Sequence, residues 1–470
     1  MAARRRPRGL VIAAPASSSG KTVVALGLME ALRRRGLCVQ PFKAGPDYID
    51  PGLHAALLGR PSYNLDTWMM GTQAVVKTFS RKAAVSDVSV VEGVMGLFDG
   101  RDGRSEEGST AHLAKTLGLP VLLVVNAEKA ARSVGAVIKG FTEFDPGVEI
   151  RWVVFNRVAS PRHYAMLRDS VPKGSKVRVL GCLPKDPSLC VPERHLGLFT
   201  ASTLKRARWD EFVDRSGSIV EECVDIDALL KGAPALRLAA PPEKSPAPAG
   251  PRIAVARDRA FCFYYEENFD ILRSLGAVPV PFSPMRDRRL PDGVGGVYIG
   301  GGYPELFASA LERNVSMRED IKRAASGGLP VLAECGGLMY LGRSIEDARG
   351  RVRAGAGVFP WASRMSDKRA ALGYREVVVQ RGCPLFEQGG RVRGHEFHYS
   401  VIPDPPARIK RAFTVRPAGA EKEGRAEGYM RANTLASYVH IHFASNPAFA
   451  GGFVRACEAA SARRGGRRGR

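Results

Sequence analysis

The 470-residue chain has no long uninterrupted apolar run, and its eight cysteines (38, 182, 190, 223, 262, 335, 383, 457) form neither a CxxC pair nor a cysteine–histidine cluster at zinc spacing. The first absence excludes a helical membrane span. The second argues against a disulfide framework and a structural zinc. A signal-peptide pattern is missing too. The basic start MAARRRPRGL runs through a short strand-like LVIAAP into SSSGKT, with no apolar core or cleavage site, so a cytoplasmic location is expected. Aromatic-interleaved basic motifs of RNA- or DNA-binding modules are also lacking, and nucleic acid is not an expected partner. What the chain does have is a strong excess of one charge: 70 Lys+Arg against 47 Asp+Glu, a net +23. That balance favours anionic partners of some kind, and a small polyanionic substrate, a nucleotide triphosphate or an arginine-rich proteome explains it equally. The densest basic runs, ARRRPR and RRGGRRGR, lie at the termini and read as solvated tails.

The length exceeds what one core usually serves, so two domains are expected. Residues 233–251, dense in Pro and Ala and without period, read as a linker between a domain over 1–232 and a second over 252–470. The first half alternates apolar strand-like runs (LVIAA, VSVVE, PVLLVVNA, RWVVFN) with helix-compatible segments, the pattern of a parallel sheet covered on both faces. The pattern restarts after the linker with RIAVARD, GGVYIGGG and LPVLAEC, then shortens toward SYVHIHF, which suggests a second α/β domain with an antiparallel extension.

In LVIAAPASSSGKTVVALGLMEALRRRG, a strand, a small-residue loop and a helix follow one another. Gly20, Lys21 and Thr22 match the end of a P-loop, in which backbone N–H groups and a helix N-terminus face phosphate, the lysine reaches the β/γ oxygens and the hydroxyl binds Mg²⁺. Pro15 stands where that pattern begins with glycine. Lys43, Asp47 and Asp50 fall in the loop FKAGPDYIDPGLH, and VSVVEGVMGLFDG ends a strand in Glu92 and continues to Asp99. A carboxylate at the carboxyl end of a parallel strand is poorly explained by packing and suits Mg²⁺.

In LPVLAECGGLMYL, an apolar strand delivers Cys335 onto Gly336 and Gly337, the form of a strand-to-helix elbow that exposes a nucleophile. Gly300, Gly301 and Gly302 follow another strand and let backbone approach a substrate. Gly301, Gly302 and Gly336 are the candidate oxyanion donors. SYVHIHF places His440 and His442 on one side of a strand, one to activate Cys335 and the other to orient it.

Together, FKAGPDYIDPGLH, YNLDTW, VEGVMGLFDG, RHLGL, AFCFYYEENFDILRSLGA, GGGYPE, AECGGLMYL and SYVHIHF resemble the cobyrinate a,c-diamide synthases, glutamine-dependent enzymes of corrinoid biosynthesis, from about Leu10 to about Phe453. The resemblance implies an α/β protein of two domains: an N-terminal P-loop domain similar to dethiobiotin synthetase and a C-terminal class I glutamine amidotransferase domain. It implies ATP and Mg²⁺, with Lys21 and Thr22 on the nucleotide and its metal and Glu92 as a further ligand. Asp47, Asp50 and Asp99 fall at acidic positions for substrate or metal, and Lys43 near phosphate. Cys335 becomes the glutaminase nucleophile and His440 its base. Many relatives carry Glu where this chain has His442, and many carry Gly where it has Ser18. The expected partners are ATP, glutamine and a polycarboxylate tetrapyrrole or corrinoid, with a homodimer left open. The macrocycle itself stays open among cobyrinate, hydrogenobyrinate and (Ni-)sirohydrochlorin. The reading from another class is a nucleotide-switched regulatory protein, which has no use for a glutaminase.

Overall fold

A computed structural model of the chain describes residues 6–189, 206–238, 250–403, 405–420 and 424–468. The RHLGL stretch and most of the expected linker lie outside the described residues. The chain divides into two compact units, Met1–Pro242 and Glu243–Arg470.

The first unit holds strands β1 (Arg8–Ala13), β2 (Val39–Ala44), β3 (Tyr63–Leu65), β4 (Val88–Glu92), β5 (Val121–Asn126), β6 (Ile150–Val158) and β7 (Arg178–Pro184). They form a seven-stranded sheet in the order β3-β2-β4-β1-β5-β6-β7, parallel throughout. The central strands are continuous apolar runs because helices cover both faces. Helix α1 (Lys21–Arg34) begins directly after Gly20 and ends in two arginines, where cations complement the helix dipole. Its Val24, Leu28, Met29 and Leu32 pack with Leu10, Ile12, Val90, Ile219 and Val220 in one core. Residues at the start of the expected linker join this unit: Ala235 bridges Arg8 and Leu236 N donates to Pro7 O at 2.8 Å.

The second unit holds β8 (Arg252–Ala256), β9 (Val278–Phe282), β10 (Val294–Ile299), β11 (Val331–Glu334), β12 (Ser344–Glu346), β13 (Val352–Ala354), β14 (Ala362–Met365), β15 (Ala371–Val379), β16 (Arg391–His398), β17 (Ser400–Val401), β18 (Lys410–Pro417), β19 (Arg425–Arg431), β20 (Thr434–Ser437) and β21 (His440–Ile441). The main sheet has ten strands in the order β21-β16-β15-β18-β19-β20-β11-β10-β8-β9. From β9 to β20 it is parallel, and beyond β20 antiparallel. A four-stranded sheet, β13-β12-β14-β17, stands apart from it.

Two local expectations differ from the structure. The strand expected over SYVHIHF is only His440–Ile441, because the Phe443 N–H turns to Asn268 Oδ1 at 2.8 Å and a 3₁₀ turn follows. The described part of the C-terminal basic run, as far as Arg468, is not a loose tail in backbone terms, since helix Pro447–Arg468 extends into it.

Candidate active sites

In the first unit, register builds the site. Ile12 of β1 and Lys43 of β2 both pair with Glu92 of β4, so the carboxyl ends of three neighbouring strands bring the P-loop, a lysine and a buried carboxylate side by side. The Thr22 hydroxyl donates to Glu92 Oε1 at 2.8 Å. Lys43 Nζ lies 3.2 Å from the same oxygen and 2.5 Å from Asp50 Oδ2, with Asp47 at 3.6 Å. The other Glu92 oxygen meets His54 Nε2 at 2.7 Å, and His54 Nδ1 meets Ser62 Oγ at 3.0 Å. Lys21 Nζ donates to the carbonyls of Met95, at 2.5 Å, and Ala16, at 3.3 Å. Asp99 accepts the Gly96 N–H at 2.8 Å, closing the turn that carries Met95.

Burial alone would raise the Glu92 carboxyl, but Lys43, His54 and Thr22 hold it well below the usual carboxylate range. Burial would lower Lys43, yet Asp50, Glu92 and Asp47 raise it above its ordinary value. Asp50 is pushed well up by burial and by Asp47 and Glu92. Lys21 is drawn down by burial and by Lys43. A cation entering here meets the acidic groups Asp47, Asp50, Glu92 and Asp99, among which two lysines, Lys43 and Lys21, already stand. Among the described residues no three His, Cys, Asp or Glu side chains converge as a closed metal cage.

In the second unit, Cys335 sits at φ 47, ψ −99 between β11 and the short helix Gly336–Leu341. This conformation costs a non-glycine residue about 1–3 kcal/mol. It is held by Cys335 N donating to Ser437 O at 2.7 Å and by Gly337 N donating to Gly300 O at 3.0 Å. The Gly336 N–H is within hydrogen-bonding reach of the sulfur and favours its thiolate. Glu334, just before the cysteine, accepts from Ile441 N, just after His440, at 3.1 Å and from the Tyr298 hydroxyl at 2.9 Å. One buried carboxyl thus fastens the strand that carries His440 to the elbow, and burial pushes that carboxyl up to about 8.

The glycine loop touches both sides of the site. A Cβ at Gly301 would lie 2.4 Å from His440 Cε1, and one at Gly336 would lie 3.1 Å from Gly302 N. Gly301→Ala must therefore displace His440. We expect glutamine hydrolysis to fall by roughly 100-fold, the usual effect of misplacing a catalytic group by an ångström, while amidation from ammonium salt stays near wild type. Comparing the two nitrogen sources checks it.

Burial pushes the Cys335 thiol up, with Glu305 and Glu396 adding to it, and burial brings His440 down to about 3, helped by His395 and His398 and opposed by Glu396. The resting pair is a neutral thiol and a neutral imidazole. A base with a lowered pKa stays unprotonated to lower pH. The acid limb of kcat/KM for glutamine hydrolysis should therefore lie below pH 5, well under the ordinary imidazole value of about 6.5. A limb between pH 6 and 7 would contradict it.

The residues singled out in the sequence fall into these two places. Gly20, Lys21, Thr22, Lys43, Asp47, Asp50, Glu92 and Asp99 gather at the carboxyl edge of the first sheet, and Cys335, Gly301, Gly302, Gly336 and His440 at that of the second. His442 has a different setting: its Nδ1 accepts the Ala444 N–H at 3.3 Å and its ring lies 4.6 Å from that of Tyr265. Sequence reasoning passed over His54, whose signal is its placement one helical turn after Asp50. It also passed over Asn156, whose Nδ2 donates to Ser19 O in the P-loop at 3.0 Å, and over Glu396. Glu396 is buried between Arg375 at 2.6 Å and His398 at 3.1 Å, and its neighbour Phe397 places a carbonyl 4.0 Å from the Cys335 sulfur. The signal was HEFH, with charged groups two apart on a half-buried strand.

A P-loop unit and a thiol-bearing amidotransferase unit in one chain define a class, the glutamine-hydrolysing amide ligases that use a nucleotide. Family models agree: residues 252–448 match the CobB/CobQ-like glutamine amidotransferase domain and residues 8–193 an AAA domain. A cobyrinate a,c-diamide synthase of Dehalococcoides mccartyi (strain CBDB1) is 42% identical, covering 95% of this chain and 97% of that protein. Synthases of the same name from Priestia megaterium, 40% identical over 97% of this chain and 98% of theirs, and Archaeoglobus fulgidus, 41% identical over 95% and 96%, are similar along their length. The chain belongs to the cobyrinate a,c-diamide synthase family.

Proposed function

We propose that the protein converts cobyrinate to cobyrinate a,c-diamide, using ATP and two molecules of glutamine. The observation that carries the reading is the presence, in one chain, of the Thr22–Glu92–Lys43 cluster beside a P-loop and the Cys335 elbow beside His440. A nucleotide switch would need only the first.

A carboxylate does not react with ammonia, so an acetate oxygen first attacks the γ-phosphorus of ATP, giving an acyl phosphate and ADP. Lys21 offsets charge on the transferring phosphoryl oxygens, and Lys43 keeps the acidic cluster compact. The residues fit Mg²⁺: the Thr22 hydroxyl and Glu92 carboxylate are hard oxygen donors 2.8 Å apart, with Asp47 nearby, and an ion of this kind completes its shell from phosphate and water. When bound it supplies further charge neutralisation at the phosphates. In the second unit Cys335 attacks the glutamine amide carbon as its proton passes to His440, which returns it to the departing nitrogen as ammonia leaves. Water then cleaves the thioester to glutamate. Ammonia displaces phosphate from the acyl phosphate, and the cycle repeats on the second acetate.

The substrates are metabolites of the cytoplasm, where we place the protein. No helix among the described residues is long and apolar enough to cross a membrane. Purified chain is offered cobyrinate, hydrogenobyrinate, sirohydrochlorin or Ni-sirohydrochlorin with ATP, Mg²⁺ and glutamine, and added amides are counted by mass. Two amides on cobyrinate are expected. Preference for another macrocycle, or ATP turnover indifferent to glutamine, would overturn the reading.

A further inference from the structure

An apolar patch adjoins the phosphoryl-transfer site and has no role in the chemistry above. The loop after β4 that supplies Met95 O to Lys21 also carries Phe98, three residues on. That segment spans no more than about 11 Å between Cα atoms. Leu97 N, next to Phe98, donates to Ala14 O at 2.8 Å, fastening this loop to the start of the P-loop. The Phe98 ring lies 5.4 Å from that of Phe141 and 4.7 Å from that of Phe144. Both belong to helix Ser133–Phe144, where Val137, Phe141 and Phe144 share one face by their i, i+4, i+7 spacing. Phe144 is 75% exposed and Val137, on the same helix face, 38%, with Phe98 and Phe141 half-buried, while Met95, three residues before Phe98, is 44% exposed. Scattered exposed apolar residues need no explanation, but a contiguous aromatic set beside a catalytic edge does.

Positive charge stands at the other end of the same helix, roughly 14–18 Å along its axis from Phe141 and Phe144. β5 neighbours β1, so the loop from β5 into this helix opens on the same carboxyl edge as the P-loop. It carries Lys129 and Arg132, both exposed, neither with an ion-pair partner among the described residues.

We propose that Phe98, Phe141 and Phe144 form the platform that holds the apolar face of the macrocyclic substrate, with Lys129 and Arg132 receiving carboxylates on its rim, so that one acetate is presented to the γ-phosphate. The occupant fits on three counts: its apolar face suits the ring cluster, the cations at the far end of the helix suit carboxylates on the rim of a broad ligand, and the loop that carries Phe98 is the one that supplies Met95 O to Lys21. This inference rests on the function proposed above.

The test uses full-length protein, with cobyrinate as the probe in calorimetric titration and in ammonia-supported amidation. Phe144→Ala, at an exposed position, and Phe98→Leu should each raise Kd and KM for cobyrinate at least tenfold. Arg132→Ala should give a smaller, salt-sensitive rise. The KM for ATP and the glutaminase rate should not move. Unchanged cobyrinate affinity in both aromatic variants, with wild-type turnover intact, overturns the platform and leaves the functional reading standing. A wild-type chain that neither binds nor amidates cobyrinate overturns that reading and the platform with it. If Phe144→Ala instead lowers the sedimentation mass and leaves cobyrinate affinity alone, the patch is a contact between copies of this chain, and the platform is wrong.

Discussion

Cys335→Ala is expected to abolish glutamine-dependent amidation, by on the order of 10⁴-fold or more, while ammonium salt at a pH that generates free ammonia still supports ATP-dependent amidation of the macrocycle. The size follows from removing the only atom that can form the thioester, since nothing else at the elbow replaces a sulfur nucleophile. The separation follows from the structure. Cys335 belongs to the core of the second unit, whereas Lys21, Thr22 and Glu92 belong to the first, each with its own sheet. Alanine also keeps the elbow occupied by a small side chain, so loss of the fold is not the expected cause. Glutamate release and amide formation are measured on the same preparation. Retained glutamine-dependent activity would make Cys335 a packed core residue. Loss of ammonia-dependent activity in a folded protein would couple the two reactions more tightly than their chemistry requires.

Lys21→Ala should show the opposite division. Amidation should fall with either nitrogen source, by roughly 100- to 1,000-fold, the range for removing one preorganised charge from a developing anionic centre. Glutamine hydrolysis should continue. In the free protein Lys21 spans two loops through the carbonyls of Met95 and Ala16, so circular dichroism of the variant is needed to show that those loops have not disordered the unit. Turnover within a few-fold of wild type at saturating ATP would remove Lys21 from the phosphate site.

Much of this was legible in the residues. Gly20-Lys21-Thr22 announces its loop because a phosphate-facing turn tolerates few residue types. Cys335 between a strand and two glycines announces an elbow because so sharp a strand-to-helix turn needs small neighbours, although the thiol expected to be exposed there is buried. Glu92 was legible as a charge closing an apolar strand. What escaped reading depends on register. Nothing local says that Lys43 and Glu92 stand side by side, since β2 and β4 are separated in sequence by β3 and become neighbours only in the sheet. His54 is hidden for the same reason, because its partner lies 38 positions away. His442 misled in the other direction. A period of two holds only while a strand lasts, and here the strand stops at Ile441, so the second histidine caps a turn. Glu396 was passed over because a charged residue on a half-buried strand reads as an edge until Arg375 and His398 are placed around it.

The backbone at Cys335 has an evolutionary consequence. Its φ of 47 suits glycine far better than cysteine, so with Cys335 as the proposed glutaminase nucleophile, glutamine hydrolysis and a sturdy fold make opposite demands at this one position. In a lineage supplied with abundant free ammonia the thiol would no longer be needed, and drift toward glycine there would relieve strain instead of creating it. Such a descendant would keep its ligase chemistry, lose its amide donor and still retain the outline of an amidotransferase, a relic recognisable by the glycine where the nucleophile had been.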